Sequence, residues 1–153
     1  MRPSFSYRAG RAEDVSRLEE LLRAAHLPAN RILEIIDDFV VAESEGVVAG
    51  GGAIEVYGDT ALLRSVVIDE GLRGRGIGLE VATRLVANAI EAGATDLYLY
   101  TYTSGPFWEK LGFAVLADSE WREPVRASWQ WQYVTAHAEQ FARDGLHAMW
   151  RPI

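Results

Sequence analysis

A strand, a glycine-rich turn and a helix follow one another directly within residues 66–92, and this succession constrains the fold more than any other feature. The run Val66-Val67-Ile68 is short, apolar and β-branched, as is typical of a buried strand. Glycines at positions 74, 76 and 78 come next. Apolar residues then recur at three- and four-residue steps from Leu79 to Ile90, which predicts an amphipathic helix that Gly93 is placed to cap.

This turn predicts an anion site, because the free N–H groups and the dipole of a helix N-terminus both favour negative charge. Glycines let a phosphate approach the backbone without a Cβ in the way. The spacing does not fit a dinucleotide fingerprint, since the sixth position is Leu79 when counted from Gly74 and Val81 when counted from Gly76. It does not fit a P-loop either, because Ile77 stands where lysine is required.

The spacing that does fit is Arg73-x-x-Gly76-x-Gly78, and through it the chain resembles the GNAT acetyltransferase superfamily. In that family an Arg/Gln-x-x-Gly-x-Gly/Ala turn holds the pyrophosphate of acetyl-coenzyme A. Leu97–Tyr102 looks like the family's fifth strand, and residues 107–113, with the sequence FWEKLGF, look like the helix that ends in its "(Y)EKLGF" signature. The resemblance covers nearly the whole chain and implies one GNAT-like domain over residues 1–153. The alternative is a structural glycine turn without a ligand.

Periodicity along the rest of the chain agrees with this resemblance, which implies an α+β fold. The expected architecture is a mixed, mostly antiparallel sheet of about seven strands flanked by about four or five helices. Gly50, Gly51 and Gly52 predict a bulge or a close contact within one strand, and Gly58-Asp59 predicts a two-residue hairpin. The predicted strands are 4–8, 39–42, 47–57, 60–68, 95–102, 113–116 and 146–150, and the predicted helices are 11–26, 29–36, 78–92, 105–111 and 123–132.

Composition narrows the functional classes. The 153 residues suffice for one domain, and 15 basic against 22 acidic residues, a net charge of −7, disfavour a nucleic-acid partner. The chain has no cysteine, which excludes disulfides, thiolate metal sites and a cysteine nucleophile. The three histidines lack metal-ligand spacing, so we expect no metal. Without a signal peptide or a membrane span in the sequence, we expect a cytoplasmic enzyme.

The resemblance also implies which residues hold the coenzyme. The backbone of Val66, Val67 and Ile68 is expected to bind the pantetheine arm and polarise the thioester carbonyl. Ser104, just before a helix, and Trp108 are further expected contacts, although Ser104 is also explained as a helix N-cap. Arg73 and Arg75 could equally be solvated loop charges. The positions expected to hold the pyrophosphate are Arg73, Gly74, Arg75, Gly76, Ile77, Gly78 and Leu79.

The catalytic base is expected to be Glu55. With Gly58-Asp59 as a two-residue turn, Tyr57 faces Thr60, Glu55 faces Leu62 and Ala53 faces Arg64, so Glu55 and Arg64 share one face of the hairpin while Leu63 and Val67 share the other. Leu62 aligns with the position where some family members carry a catalytic glutamate. Glu55 lies across from it as a base or an ammonium anchor, and the alternative is a structural ion pair with Arg64.

The catalytic acid is less defined. The family's tyrosine in "YEKLGF" is replaced by Trp108, whose indole cannot protonate a thiolate at neutral pH. Tyr100 and Tyr102 are the tyrosine candidates, with water and simple packing as alternatives.

The resemblance implies transfer of an acetyl group from acetyl-coenzyme A to a small amine by direct attack in a ternary complex. A non-catalytic acyl-coenzyme A sensor is the alternative, and a protein-modifying acetyltransferase is a third hypothesis. Some segments also resemble N-acetyltransferase-like proteins associated with arsenic resistance. Trp121, Trp129, Trp131 and Tyr133 crowd a C-terminal segment that could line a substrate pocket, cover a sheet edge or form a homodimer contact.

Overall fold

The computed structural model describes residues 4–153 and contains the mixed α/β architecture that the sequence predicts. Seven strands form one sheet in the order β1-β2-β3-β4-β5-β7-β6. The β4–β5 pair is parallel, and the β1–β2, β2–β3, β5–β7 and β6–β7 pairs are antiparallel. The strands are β1 Ser6–Ala9, β2 Phe39–Ser44, β3 Val47–Tyr57, β4 Thr60–Ile68, β5 Asp96–Thr101, β6 Ala114–Val115 and β7 His147–Pro152.

Five α-helices accompany the sheet in the described part of the chain, and 3₁₀ turns connect several elements. None of these helices is both long enough and apolar enough to span a bilayer. The helices are α1 Val15–Ala24, α2 Ile77–Glu91, α3 Gly105–Lys110, α4 Trp129–Ala136 and α5 Ala138–Arg143. The 3₁₀ turns are Ala12–Asp14, Leu33–Asp38, Glu70–Leu72, Asp118–Glu120 and Glu123–Ala127.

One helix prediction was wrong and another was correct only in part, and in both cases local backbone geometry explains the difference. The segment predicted as helix 29–36 forms only the 3₁₀ turn Leu33–Asp38, because Arg31 adopts the left-handed conformation, with φ of +65°, which a right-handed helix cannot include. The segment predicted as helix 123–132 is divided at Ser128. Ser128 is extended and accepts a hydrogen bond from the Trp131 N–H as the N-cap of α4.

The contacts divide the chain into two compact units. The first comprises residues 4–54 and 63–88, and the second comprises Glu55–Leu62 and Ala89–Ile153. In the first unit, α1 buries Leu18 and Leu22 completely against strand residues that include Val41 and Val67. The predicted amphipathic stripe of α1 therefore forms the core of this unit.

The β3 glycines were predicted to form a bulge or a close contact, and the structure contains both. Ala42 pairs with Gly50 but Glu43 pairs with Val48, so Ala49 is an extra residue and forms a bulge. A Cβ on Gly50 would clash with the carbonyl oxygen of Val67, and a Cβ on Gly52 would lie 2.7 Å from Val66 Cγ2. Glycine is therefore required for β3 to lie this close to β4.

The predicted hairpin register does not continue along the whole of β4. A strict two-residue hairpin would place residue 51 opposite Val66, whereas Gly52 lies against Val66 and the Asp69 N–H donates to the Ala49 carbonyl. One extra residue therefore lies within β4, and Ser65, with φ of +60°, marks it. Leu63 and Val67 were predicted to lie on the same face of the hairpin. That prediction was wrong, because the alternation of side chains between the two faces is interrupted at this bulge.

Trp121 is the centre of the second unit. It is completely buried, and its ring lies 4.8 Å from that of Tyr98 and 4.6 Å from that of Tyr100, centroid to centroid. Its indole N–H donates to the Leu116 carbonyl at 3.1 Å. The three roles proposed for the aromatic segment do not apply to Trp121, which is a core residue.

Candidate functional site

The glycine turn begins at a capped 3₁₀ turn in the first unit. Asp69 follows β4, and its Oδ1 accepts a hydrogen bond of 2.9 Å from the Gly71 N–H, which closes the turn Glu70–Leu72. The other carboxylate oxygen of Asp69 lies 2.6 Å from Nη2 of Arg17 on α1. The direction in which the chain enters the turn is thus fixed by a side chain 52 residues earlier.

The two glycines that follow adopt a left-handed backbone conformation, which favours glycine. Gly74 and Gly76 have φ of +82° and +81°, and a Cβ built on either would meet no atom within 4 Å. The space beside this backbone is therefore open. Arg73 and Arg75 are exposed on either side of Gly74, so cationic side chains flank the open backbone.

Helix α2 starts immediately after the turn. Its first hydrogen bond joins the Glu80 N–H to the Gly76 carbonyl at 3.1 Å, so the N–H groups of Ile77, Gly78 and Leu79 precede that bond. Ile77 is buried and anchors the helix, whereas Leu79 is exposed. At its C-terminus, Gly93 has φ of +90°, and the Ala94 N–H donates to the Ala89 carbonyl, which confirms the predicted glycine cap.

The backbone of β4 before the turn has a defined orientation. The Val67 carbonyl lies against Gly50 of β3, and the Asp69 N–H donates to the Ala49 carbonyl at 2.8 Å. Backbone polar groups alternate in direction along a strand. The N–H and C=O groups of Val66 and Ile68 are therefore directed away from β3. Of the three residues predicted to bind the pantetheine arm, these two have backbone groups that do not pair with β3.

Of the predicted catalytic residues, Glu55 has the clearest geometry. It lies on β3 in the second unit, and its Oε1 accepts a hydrogen bond from the Tyr57 hydroxyl. Leu62 is completely buried against Tyr98, Trp121 and Val125. A carboxylate at position 62 would lie in an apolar core, and Glu55 is the acidic residue within the two strands of this hairpin.

The two tyrosine candidates differ in their surroundings. Tyr100 is half-buried, and its hydroxyl donates to Asp118 Oδ2 at 3.0 Å. Burial first, and then the charge of Asp118, raise the pKa of Tyr100 well above its usual value. Burial and the charge of Asp144 also raise the pKa of Tyr102. A higher pKa makes a phenol a weaker acid, so Tyr100 in particular is held as a neutral phenol.

Ser104 and Trp108 belong to α3 and the residue before it. Ser104 occupies the N-cap position of α3, as its structural explanation predicts, although within residues 4–153 its side chain accepts no hydrogen bond from an N–H group of the helix. Trp108 is buried, with ring centroids 4.9 Å from Phe107 and 5.5 Å from Phe113 in edge-to-face arrangements. Trp108 thus has a packing role, and the coenzyme contacts of both residues stay predictions.

Three further residues, Arg17, Asp69 and Asp118, were not among the site residues predicted from the sequence. An acid two residues before a glycine, as in Asp69-Glu70-Gly71, is a recognisable turn signal and could have indicated Asp69. Arg17 on a helix and Asp118 in a loop carry no comparable local signal. Residues 4–153 contain no group of three or more His, Cys, Asp or Glu side chains that could hold a metal ion.

The strand, the open glycine turn and the start of the helix all lie within a segment that matches a known protein family. Residues 11–113 match the acetyltransferase (GNAT) family, and the chain belongs to that family. An uncharacterised N-acetyltransferase of Chlorobaculum tepidum is 35% identical over 83 residues, which are 54% of this chain and 53% of the relative. The chain thus spans about half the length of this curated relative.

Two solved structures share the fold. Rv2747 from Mycobacterium tuberculosis, solved in complex with CoA and NLQ, has a TM-score of 0.81 and 21% identity, covering 97% of this chain and 99% of that one. N-acetylglutamate synthase from Neisseria gonorrhoeae, complexed with coenzyme A and L-arginine, has a TM-score of 0.76 and 16% identity, covering 99% of this chain and 34% of that one. The family membership agrees with the resemblance, while the arsenic-resistance subgroup stays a prediction.

Proposed function

We propose that this chain transfers an acetyl group from acetyl-coenzyme A to an amine. The observation that carries the proposal is the open glycine backbone at Gly74 and Gly76, followed by the N–H groups that precede the first hydrogen bond of α2. These groups lie within the residues that match the family. A pyrophosphate there would receive backbone donors, a favourable helix dipole and the side chains of Arg73 and Arg75.

The coenzyme assignment extends from the turn into β4. We infer that the pyrophosphate binds at Arg73–Leu79 and that the pantetheine amides bind the backbone of Val66 and Ile68, whose polar groups are directed away from β3. Arg17 and Asp69 contribute indirectly, because they hold the 3₁₀ turn that joins these two segments. Both segments lie in the first unit, so this part of the proposal concerns one compact body.

The reaction would be direct transfer. The amine nitrogen attacks the thioester carbonyl, a C–N bond forms, the C–S bond breaks, and the coenzyme leaves as a thiolate that is then protonated. The nitrogen loses one proton to a base, for which Glu55 is the candidate. A covalent acetyl-cysteine route is closed because the chain contains no cysteine.

A non-catalytic acyl-coenzyme A sensor is the second candidate. Leu62 is a fully buried core residue where some family members carry glutamate, and Trp108 packs against two phenylalanines where the family carries tyrosine. Both replacements lie outside the glycine turn, and both remove common catalytic groups. A sensor would bind acetyl-coenzyme A at the same turn.

Thiol release separates the two candidates. Coenzyme A release is measured from acetyl-coenzyme A with a panel of amines, and acetyl-coenzyme A binding is measured on the same preparation. Amine-dependent release above the rate of hydrolysis supports the transferase. Tight binding with no release for any amine would contradict the transferase and support the sensor.

A further inference from the structure

The second unit contains a partly open cavity of about 310 Å³, and several residues that line it, Val115 and Ala142 among them, are exposed to solvent. The lining includes no residue of the glycine turn. Two residues of α5, Ala138 and Ala142, lie one helical turn apart and both line the cavity. Their side chains are small and therefore leave space in the cavity. Most of the remaining wall is apolar, contributed by Val115, Val134, Phe141 and Leu146. A cavity of this volume lies at the lower end of the range for small-molecule pockets.

The polar side chains of this cavity are few. Tyr100, Asp118 and His147 line it, and the lining, all of it within the described residues, includes neither lysine nor arginine. Asp118 is therefore an acidic group in a wall that brings no basic side chain of its own except the imidazole of His147. Such a wall favours a cationic ligand and opposes a carboxylate.

Asp118 is held in position from two directions. Its Oδ2 accepts from the Tyr100 hydroxyl at 3.0 Å, and its main-chain carbonyl accepts from the Trp131 indole N–H at 3.0 Å. A carboxylate can accept about four hydrogen bonds, so the bond from one phenol leaves capacity for a ligand N–H. Because Asp118 is already oriented, little side-chain entropy would be lost when a ligand binds.

We propose that this cavity binds a primary amine with an apolar body, its ammonium group on Asp118 and its body among Val134, Phe141 and Leu146. The proposal concerns ligand binding alone and does not depend on acetyl transfer by this chain. Its binding claim can be tested without the reaction.

Phenethylamine is a suitable probe, because it joins one ammonium to an aromatic ring of a size that fits the cavity. Its affinity for the full chain is measured by ligand-observed NMR titration without coenzyme, with 2-phenylethanol as the neutral isostere. We expect phenethylamine to bind at least about tenfold more tightly than the alcohol. In Asp118→Asn, which keeps an acceptor for Tyr100, this preference should disappear.

Two further variants control the experiment. Glu139→Gln removes the same charge from an exposed position of α5 outside the cavity lining, and it should keep the wild-type affinity within about twofold. Ala142→Phe fills the cavity without changing a charge and should abolish binding of both probes. This variant also tests the site if Asp118→Asn does not fold.

The outcomes distinguish this inference from the proposed function. Equal binding of amine and alcohol, or undiminished binding in Ala142→Phe, would overturn the amine cavity even if the chain acetylates other amines. Specific phenethylamine binding with no acetyl transfer to any amine would uphold the cavity as a ligand site. It would also contradict the transferase.

Discussion

Arg17 Nη2 lies 2.6 Å from Asp69 Oδ2, and Asp69 caps the turn that leads into the proposed coenzyme site. Arg17 belongs to α1 and Asp69 directly follows β4, so this ion pair ties the turn to the core helix of the first unit. Both side chains are about one-third exposed, at 32% and 31%, so solvent screens the pair and its contribution is modest. Its role would be to position the glycine backbone.

Arg17→Ala tests this positioning role. We expect acetyl-coenzyme A affinity to fall about twofold to fivefold, because the loosened turn must be ordered when the phosphates bind. The measurement is a calorimetric titration. Glu20→Gln is the matched control, since it removes the other ion-pair partner of Arg17 and leaves Asp69 paired. Equal affinities in the wild type and Arg17→Ala would show that the pair does not position the site.

Glu55→Gln tests the proposed base. The change keeps an oxygen that can accept from the Tyr57 hydroxyl but removes the charge, so the fold should be retained. We expect kcat to fall about 10²-fold, with a smaller loss at high pH, where more of the amine is already free. Steady-state kinetics across pH measure this.

The alternative roles of Glu55 give different kinetics. An anchor for the substrate ammonium would raise KM and leave kcat nearly unchanged. Wild-type kinetics together with a lower Tm would mean that Glu55 is only structural, as the ion-pair alternative requires.

Tyr102→Phe and Tyr100→Phe compare the two candidate acids. The hydrogen bond to Asp118 and the raised pKa of Tyr100 make it the weaker proton donor. We therefore expect Tyr102→Phe to lower kcat about tenfold or more with little effect on coenzyme affinity. Tyr100→Phe should mainly lower Tm, because it breaks the bond to Asp118. Full kcat in Tyr102→Phe would leave water as the proton donor.

Acid stability should depend on Asp14. Arg8 contacts both of its carboxylate oxygens, at 2.7 and 2.9 Å, and these hydrogen bonds, opposed by burial and aided by the Arg11 N–H, hold the pKa of Asp14 below its usual value. A lowered folded-state pKa means that the carboxylate stabilises the fold above about pH 4, and that this contribution is lost as pH falls through the folded-state pKa.

Asp14→Asn should therefore lower Tm at pH 7 by about 3 to 8 °C, corresponding to roughly 1–3 kcal/mol. The difference from the wild type should shrink as the pH is lowered below about 4. Thermal melts across pH measure this, with the exposed neighbour Glu13→Gln as the control. A Tm difference that does not change with pH would contradict the ionised pairing.

Much of the fold could be predicted from the sequence, because local patterns specify it. Val47–Tyr57 is a mainly apolar run that ends at a Gly-Asp turn, and the observed strand has the predicted bounds. Helix α2 has apolar periodicity and a glycine after its end, and both were interpreted correctly. These signals depend on residues close together in the chain.

The remaining features depend on tertiary contacts. The extra residue at Ser65 places serine in a left-handed conformation, which serine does not favour, so nothing local predicts it. The aromatic residues of 121–133 could fit several roles by composition, and only the fold shows that Trp121 is core. The glycine turn was predictable as a motif, whereas its Arg17–Asp69 support joins residues 52 positions apart.

The central claim is that acetyl-coenzyme A binds at the glycine turn, and a calorimetric titration of Gly76→Asp tests it most directly. The new carboxylate would occupy the open space beside the backbone and repel the pyrophosphate. Gly93→Asp is the matched control, because it adds the same charge at a glycine with φ of +90° at the other end of the same helix. We predict that Gly76→Asp lowers affinity at least about tenfold, or roughly 1.4 kcal/mol, while Gly93→Asp binds like the wild type. Unchanged affinity in a folded Gly76→Asp protein would contradict the assignment.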